Sequence, residues 1–125
     1  MDFPPLMTAP DFTVEQMREA ASRATAMLRV LANEDRLLLL CQLTQGEACV
    51  SDLEELLGIR QPTLSQQLGI LRNENIVSTR REGKKIFYQI SDVRAVQMLN
   101  TLYDLYCVMP APAAEPDPES ARAAP

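Results

Sequence analysis

The sequence predicts a mainly α-helical chain with a β-hairpin wing, which is a winged helix-turn-helix with five helices in the order ααααββα. Apolar residues recur at helical spacing from residue 13 to residue 73. Residues 61–72 combine leucines on one side with amides and hydroxyls on the other, as a helix in the major groove of DNA requires. Residues 76–90 alternate in polarity around a basic, glycine-containing tip, which is typical of a β-hairpin.

Length and composition limit the class of protein. A chain of 125 residues is long enough for one domain with a core and a tail. The longest apolar block, residues 37–41, is too short to span a bilayer, and residues 1–5 lack the pattern of a secretion signal. Three cysteines are an odd number for a disulfide framework and fit a reducing compartment. We therefore expect a cytoplasmic protein with no membrane partner.

Proline content sets the predicted domain boundaries. Residues 1–12 contain three prolines and no periodic pattern, and we expect a flexible N-terminus. Residues 13–107 form the predicted winged-helix domain for DNA binding and dimerisation. Residues 108–125 are rich in proline, alanine and acids, and we expect a disordered tail.

The first two helices are predicted from their caps. Thr13 caps the first helix, whose apolar stripe runs from residue 14 to residue 31. Asn33 caps the second, which extends to about Gln45 and is ended by Gly46. This second helix is apolar on almost every side, and we expect it in the middle of the fold.

The third and fourth helices form the predicted helix-turn-helix. A capping box at residues 51–54 opens the third helix, and Gly58 ends it. Pro62 suits the first turn of the fourth helix. The face that we expect to be buried carries Leu64, Leu68 and Leu71.

The wing and the last helix complete the fold. Residues 76–77 open the first strand, and residues 86–90 alternate as a half-buried second strand. Ser91 caps a last helix with an apolar stripe of Val93, Val96, Leu99, Leu102 or Tyr103, and Tyr106. The stripes of the first and last helices can cover the core or pair with a second subunit. We predict both uses, and hence a homodimer that reads two half-sites about 34 Å apart.

The distribution of charge predicts a DNA interface, although the net charge is −5. Residues 60–94 contain seven basic and three acidic side chains, a local charge of +4. The predicted partner is double-stranded operator DNA. Base reading is predicted for Gln61, Thr63, Ser65, Gln66 and Gln67, and backbone contact for Arg80, Arg81, Lys84 and Lys85. The alternatives are an ordinary solvated helix face and a hairpin whose charges keep its edge soluble.

Three segments together resemble the ArsR/SmtB family of repressors. They are LANEDR at 31–36, QPTLSQQL at 61–68 and RREGKK at 80–85, and the resemblance extends over residues 31–107. It implies a transcriptional repressor with a homodimeric winged-helix fold. It also implies that the terminal helices form the dimer contact and that the fourth helix lies in the major groove.

Metal sensing, which the resemblance makes possible, is not favoured by the ligands present. The chain has no histidine, and the family's Cys-Val-Cys step is Cys49-Val50-Ser51 here. A zinc site needs about four nitrogen or sulfur ligands. We predict no metal site and no cofactor, with a soft-ion site between subunits as the open alternative.

Two cysteines resemble those of the BigR/SqrR branch of the family, which senses persulfides. Cys41 lies in the second helix and Cys107 at the end of the last helix. The resemblance implies that persulfides or polysulfides crosslink these two residues and release the DNA. A direct disulfide requires Cα atoms within about 7 Å, and inserted sulfur atoms bridge a longer gap.

Other interpretations of the cysteines remain open. Cys41 lies in a leucine run and is also consistent with a packed core thiol. Cys49 precedes a helix N-terminus and is a possible accessory thiol. The alternative functions are a general thiol switch that forms a simple disulfide, a metal-responsive repressor, and a DNA-binding or partner-binding module in which the cysteines only pack. We predict that the chain is not an enzyme, because no catalytic constellation accompanies these thiols.

Overall fold

The computed structural model describes residues 13–107, and the predicted segments 1–12 and 108–125 lie outside the described residues. The chain divides into two units, Met1–Ser91 and Asp92–Pro125. The described part of the first unit contains four helices and three strands, and that of the second contains one helix. In chain order the elements are α1 (Val14–Leu31), α2 (Glu34–Leu43), β1 (Ala48–Cys49), α3 (Val50–Leu57), α4 (Thr63–Asn73), β2 (Val77–Glu82), β3 (Lys85–Ile90) and α5 (Val93–Tyr106).

The predicted winged helix-turn-helix is confirmed. Helices α3 and α4 follow each other across a short link, and strands β2 and β3 form the antiparallel hairpin of the wing. The sequence did not predict β1, which pairs with β3 and makes a three-stranded sheet in the order β1-β3-β2. A strand of two residues has no period of its own, so it has no signal in the sequence.

The predicted caps of α1 and α2 are confirmed. The Thr13 hydroxyl accepts a hydrogen bond from the Gln16 N–H at 3.0 Å, and the Gln16 side chain accepts one from the Thr13 N–H at 2.8 Å. At the second helix the Asn33 side chain accepts from the Arg36 N–H at 3.0 Å. Each pair satisfies backbone groups that the first turn of a helix leaves without an intrahelical partner.

Three predicted boundaries are wrong. Helix α2 ends at Leu43, before the predicted Gln45. Helix α3 begins at Val50 with no side-chain cap, because β1 keeps the chain extended up to its N-cap Cys49; Ser51 therefore lies inside the helix. The cap of α5 is Asp92, whose carboxylate accepts from the Arg94 N–H, rather than Ser91.

The core of the first unit is built from leucines. Helix α2 packs against α1, α3, α4 and β3, which confirms its predicted central position. It is not buried on every side, since Leu38 is 41% exposed and Cys41 is exposed. The largest side chains that are fully buried are Leu39, Leu40, Leu53, Leu64, Leu68 and Leu71.

The terminal helices leave much of their apolar surface exposed. In α1 only Val30 and Leu31 are buried, whereas Val14 and Leu28 are 63% and 49% exposed. In α5 the buried residues are Ala95 and Leu99. Of the predicted α5 stripe, Leu99 is buried, Val96 and Leu102 are half-buried, and the remaining members, Val93, Tyr103 and Tyr106, are exposed. None of the helices within residues 13–107 is long and apolar enough to cross a membrane.

The leucine core predicts the cost of one truncation. Leu39→Ala removes a side chain that is 0% exposed, and we expect it to lower the free energy of unfolding by about 2–5 kcal/mol. Urea unfolding followed by circular dichroism measures the change. The control is Leu56→Ala, because Leu56 is 60% exposed; equal losses for the two variants would contradict the described core.

Candidate nucleic-acid interface

Helix α4 is anchored by one face and open on the other. Leu64, Leu68 and Leu71 are between 0% and 1% exposed, so three consecutive turns contact the core. Its N-cap, Pro62, offers no side-chain cap. The Gln61 side chain replaces it, since its oxygen accepts a hydrogen bond from the Ser65 N–H at 3.1 Å. The start of α4 is therefore stabilised by a residue that was predicted to read bases.

The open face of α4 carries groups that recognise base edges. Ser65, Gln66 and Asn73 are exposed, and Ile70 is 39% exposed beside them. A glutamine amide can bond to adenine at two atoms, a hydroxyl bonds to several bases, and an apolar side chain contacts the thymine methyl. The face has the chemistry of direct readout in a major groove.

Two of the five predicted base-reading residues lie at the edge of this face. Thr63 and Gln67 are half-buried. The Gln67 side-chain oxygen accepts a hydrogen bond from Arg36 Nη1 at 2.9 Å. The oxygens of Gln61 and Gln67 are thus both used within the chain, and their amide hydrogens remain for donation. Base reading by the full set of five stays a prediction.

The wing carries an exposed cationic tip. Strands β2 and β3 pair from Val77 opposite Ile90 to Glu82 opposite Lys85. Gly83 opens the connecting turn with a φ of +63°, a conformation that other residues rarely adopt. Within the described residues, Arg81, Lys84 and Lys85 are exposed and form no ion pair with a carboxylate. These three cations are available to contact phosphate.

Arg80 differs from the other cations of the wing because it is already paired. Its Nη2 lies 2.6 Å from a carboxylate oxygen of Glu47, its Nε lies 2.8 Å from the other oxygen, and its Nη1 lies 3.0 Å from Glu82. The guanidinium carbon also lies 4.7 Å from the centre of the Phe87 ring, the cross-strand neighbour of Arg80. Phosphate contact by Arg80 stays a prediction, and it requires competition with two carboxylates.

The ion pair shifts both partners toward their charged forms. The hydrogen bond from Arg80 lowers the pKa of Glu47, the desolvation of its carboxyl opposes this, and the charge of Arg80 adds to the lowering. The hydrogen bonds with Glu47 and then Glu82 raise the pKa of Arg80. A lowered folded pKa means that the pair is intact above the usual pKa of a glutamate and is lost as the pH falls through the lowered value. Since both groups are solvent-accessible, the pair contributes little to stability.

The three cysteines have different environments. Cys41 is exposed on α2, so the interpretation as a packed core thiol is wrong for this structure. Cys49 is 3% exposed at the N-cap of α3, with its sulfur 3.3 Å from the Ser51 hydroxyl. Cys107 is exposed at the C-cap of α5, where its N–H donates to the Tyr103 carbonyl at 2.8 Å. The two predicted sensing thiols are therefore accessible to a reagent, and the accessory thiol is not.

Sequence reasoning missed two residues that organise this surface. Arg36 holds Gln67, and Glu47 holds Arg80. A signal existed for Arg36, because a cation in the first turn of a helix lies at the unfavourable end of the dipole and needs a partner elsewhere. No signal existed for Glu47, which is 33 residues from Arg80 along the chain.

Comparisons with known proteins agree on one family. The family model described as "Bacterial regulatory protein, arsR family" matches residues 33–79. The chain is 46% identical over 100 residues to the biofilm growth-associated repressor of Xylella fastidiosa strain Temecula1, and the aligned residues cover 80% of this chain and 88% of that protein. It is 48% identical over 91 residues to the protein of the same name from Agrobacterium fabrum, covering 73% and 78% of the two chains. The crystal structure of the transcriptional repressor BigR from Xylella fastidiosa superposes with a TM-score of 0.72 at 45% identity, over 78% of this chain and 99% of that one.

The pairing of Arg80 predicts a gain of DNA affinity. Glu47→Gln removes one competing charge, so we expect tighter binding to duplex DNA and a plot of log affinity against log salt that is steeper by about 0.9, the value of one phosphate contact. Fluorescence anisotropy at several salt concentrations measures the affinity and its salt dependence. The control is Glu55→Gln, which changes the net charge equally; equal effects of the two variants would mean that only net charge acts.

The amides lie on α4 and the cations on the wing, so we expect substitutions in the two places to impair DNA binding in different ways. Gln66→Ala should reduce discrimination between the preferred duplex and others by about 1–3 kcal/mol, with the salt dependence unchanged. Lys84→Ala should weaken binding to all duplexes alike and reduce the salt slope by about 0.9. Anisotropy titrations distinguish lost discrimination from generally weaker binding. They use one duplex selected from a random pool and one scrambled duplex. The assignment fails if Gln66→Ala weakens both duplexes equally.

Proposed function

The chain belongs to the arsR family of bacterial regulatory proteins, and from that premise we propose that it is a transcriptional repressor that reactive sulfur species switch off. In this proposal a homodimer binds operator DNA and releases it when a chain of sulfur atoms joins Cys41 to Cys107. The observation that carries the proposal is the exposure of Cys41 on α2, the helix whose Leu39, Leu40 and Leu43 are buried in the core. The similarity to biofilm growth-associated repressors supports the repressor role.

The DNA-binding part of the proposal rests on the surface of the first unit. Helix α4 presents Ser65 and Gln66 to solvent while its leucine face holds it in the core. The wing adds the cations Arg81, Lys84 and Lys85, and β2 contacts α4 directly. A base-reading helix next to phosphate-binding side chains separates the two tasks of a sequence-specific binder.

The homodimer rests on apolar surface that the described chain leaves open. Val14 and Leu28 of α1 are 63% and 49% exposed, and Val93, Tyr103 and Tyr106 of α5 are 67%, 56% and 81% exposed. Large apolar side chains that are exposed on a helix are available for contacts with other proteins. A twofold pair would bury it and would double the number of bases read, because each subunit contributes one α4.

The proposed sensing reaction needs no oxidant other than the alkyl persulfide itself. The Cys41 thiolate attacks the terminal sulfur of an alkyl persulfide and becomes a persulfide, while the alkyl thiolate leaves with the bonding electrons. Cys107 reacts in the same way. The terminal sulfur of one protein persulfide then attacks the inner sulfur of the other and expels hydrosulfide. The product is a trisulfide that retains one of the two transferred sulfane sulfurs, and the other has been reduced to hydrosulfide.

The effect on DNA follows from the helix that carries Cys41. Helix α2 packs against α4, so a tether that displaces α2 also displaces the base-reading face. Direct readout depends on hydrogen-bond geometry, and a small shift of α4 is sufficient to lose affinity. The sensor and the reader are therefore on neighbouring helices.

This function is tested by treating the reduced protein with an alkyl persulfide. We expect the intact mass to rise by one sulfur atom and fall by two hydrogens for a trisulfide, and the affinity for the selected duplex to fall at least tenfold. Cys41→Ser and Cys107→Ser should both abolish the release of DNA. Cys49→Ser is the control and should behave as wild type, because Cys49 is 3% exposed. Persulfide-treated protein that keeps its full affinity would refute the proposal.

A parallel treatment with hydrogen peroxide separates the proposal from a general thiol switch. The loss of two hydrogens without a gain of sulfur, accompanied by release of DNA, would identify a simple disulfide as the signal. We expect peroxide to leave both the Cys41–Cys107 pair and the DNA affinity unchanged, because the proposed bridge includes an additional sulfur atom.

A further inference from the structure

The guanidinium of Arg36 connects three helices. Arg36 lies in the first turn of α2, and its Nε donates to the Val30 carbonyl at 2.7 Å, its Nη2 to the Arg29 carbonyl at 3.1 Å and its Nη1 to the Gln67 side chain at 2.9 Å. The first two acceptors belong to the last turn of α1, and the third belongs to α4. One half-buried side chain thus joins the end of α1 to the predicted recognition helix.

The contact with α1 satisfies groups that the helix cannot satisfy itself. Helix α1 ends at Leu31, so the carbonyls of its last turn have no donor further along the helix. A cation at this end is also favoured by the helix dipole. Arg36 is held from the other side as well, because its own N–H donates to the Asn33 cap at 3.0 Å. Both the backbone and the side chain of Arg36 are therefore fixed.

The hydrogen bond to Gln67 gives α4 a directional contact, which its buried leucines do not provide. Apolar contacts are non-directional, so the buried face of α4 opposes its separation from the core more strongly than its rotation about its own axis. A planar guanidinium donates in fixed directions. Gln67 is half-buried and adjacent to Gln66 in the helix, so fixing Gln67 also fixes the direction of Gln66. Functional side chains require placement to within about 0.5 Å and 10–20°.

We propose that Arg36 is a positioning residue for DNA recognition. Its hydrogen bond to Gln67 fixes the rotation of α4 about its own axis, relative to the end of α1 that the same guanidinium contacts. Arg36 then contributes to sequence discrimination without touching a base. Gln67 contributes through its oxygen, as the acceptor of this bond, rather than through its amide hydrogens. The inference rests on the proposed function, since it concerns how the same α4 reads operator DNA.

Three substitutions separate positioning from direct base reading. Arg36→Lys keeps the charge and loses the planar fork. Gln67→Met keeps the size and loses the acceptor oxygen. Gln67→Glu keeps the acceptor and loses the amide hydrogens. The added charge of Gln67→Glu weakens all duplexes alike and cancels in the ratio of two affinities.

The experiment measures the ratio of affinities for two duplexes. One is selected by the wild-type protein from a random pool, and the other is a scrambled duplex of the same composition. We expect Arg36→Lys and Gln67→Met each to lower the ratio roughly tenfold, the value of about one bidentate base contact. The double variant should be no worse than either single variant. Gln67→Glu should lower the ratio clearly less than Gln67→Met does, because the bond from Arg36 survives.

The controls distinguish this role from folding and from the proposed function. Urea unfolding shows whether each variant is folded, and Arg23→Lys repeats the substitution at an exposed position of α1. Equal losses for Gln67→Met and Gln67→Glu would overturn the inference, and this comparison decides the question if Arg36→Lys does not fold. An unchanged ratio in a folded Arg36→Lys would also overturn it. A wild-type protein that selects no sequence from the pool would instead refute the proposed function.

Discussion

The burial of leucines between α2 and α4 is the constraint on which the rest of the structure depends. Leu39 and Leu40 of α2 and Leu64, Leu68 and Leu71 of α4 are all 1% exposed or less. Because one face of α4 is committed to this contact, Ser65 and Gln66 on its other face are exposed. The same contact gives α2 its central position between α1, α3 and β3. The proposed recognition helix and the helix that carries Cys41 therefore share one core.

Polar contacts fix how the elements of this apolar core are oriented. The guanidinium of Arg36 spans from α1 to α4, and that of Arg80 spans from the wing to Glu47. They differ in burial, since Arg36 is half-buried whereas Arg80 and its partners are open to solvent. A half-buried, multiply bonded arginine orients the elements that it contacts, while a solvated pair is readily exchanged for phosphate. The first arginine thus belongs to the framework, and the second lies on the exposed wing that is proposed to contact DNA.

Local patterns predicted the parts of the fold that local physics determines. The leucines of α4, the Asn33 cap and the alternation of the wing each depend on neighbours within a few residues. The wrong start of α3 arose where a distant contact prevailed. Pairing of β1 with β3, which joins Ala48 to Tyr88 and Cys49 to Phe87, moved the start of α3 away from the capping box predicted at Ser51. The bonds of Arg36 to Gln67 and of Arg80 to Glu47 are separated by 31 and 33 residues, so the surface could be predicted in outline and its polar organisation could not.

The exposure of Cys41 constrains how any modification at this residue could act. The buried residues of α2 are Leu39, Leu40 and Leu43, and at about 100° per residue they define one side of the helix. A sulfur atom added at such a position would overpack the core and destabilise the fold by about 1–3 kcal/mol. Cys41 is on the exposed side, where added atoms meet solvent and the core remains packed. Modification of Cys41 alone therefore leaves α2 where it is, and a change at α4 requires that the added sulfur also be attached to a second element. In the proposed mechanism that element is the end of α5, which makes two thiols, rather than one, the minimum for a response.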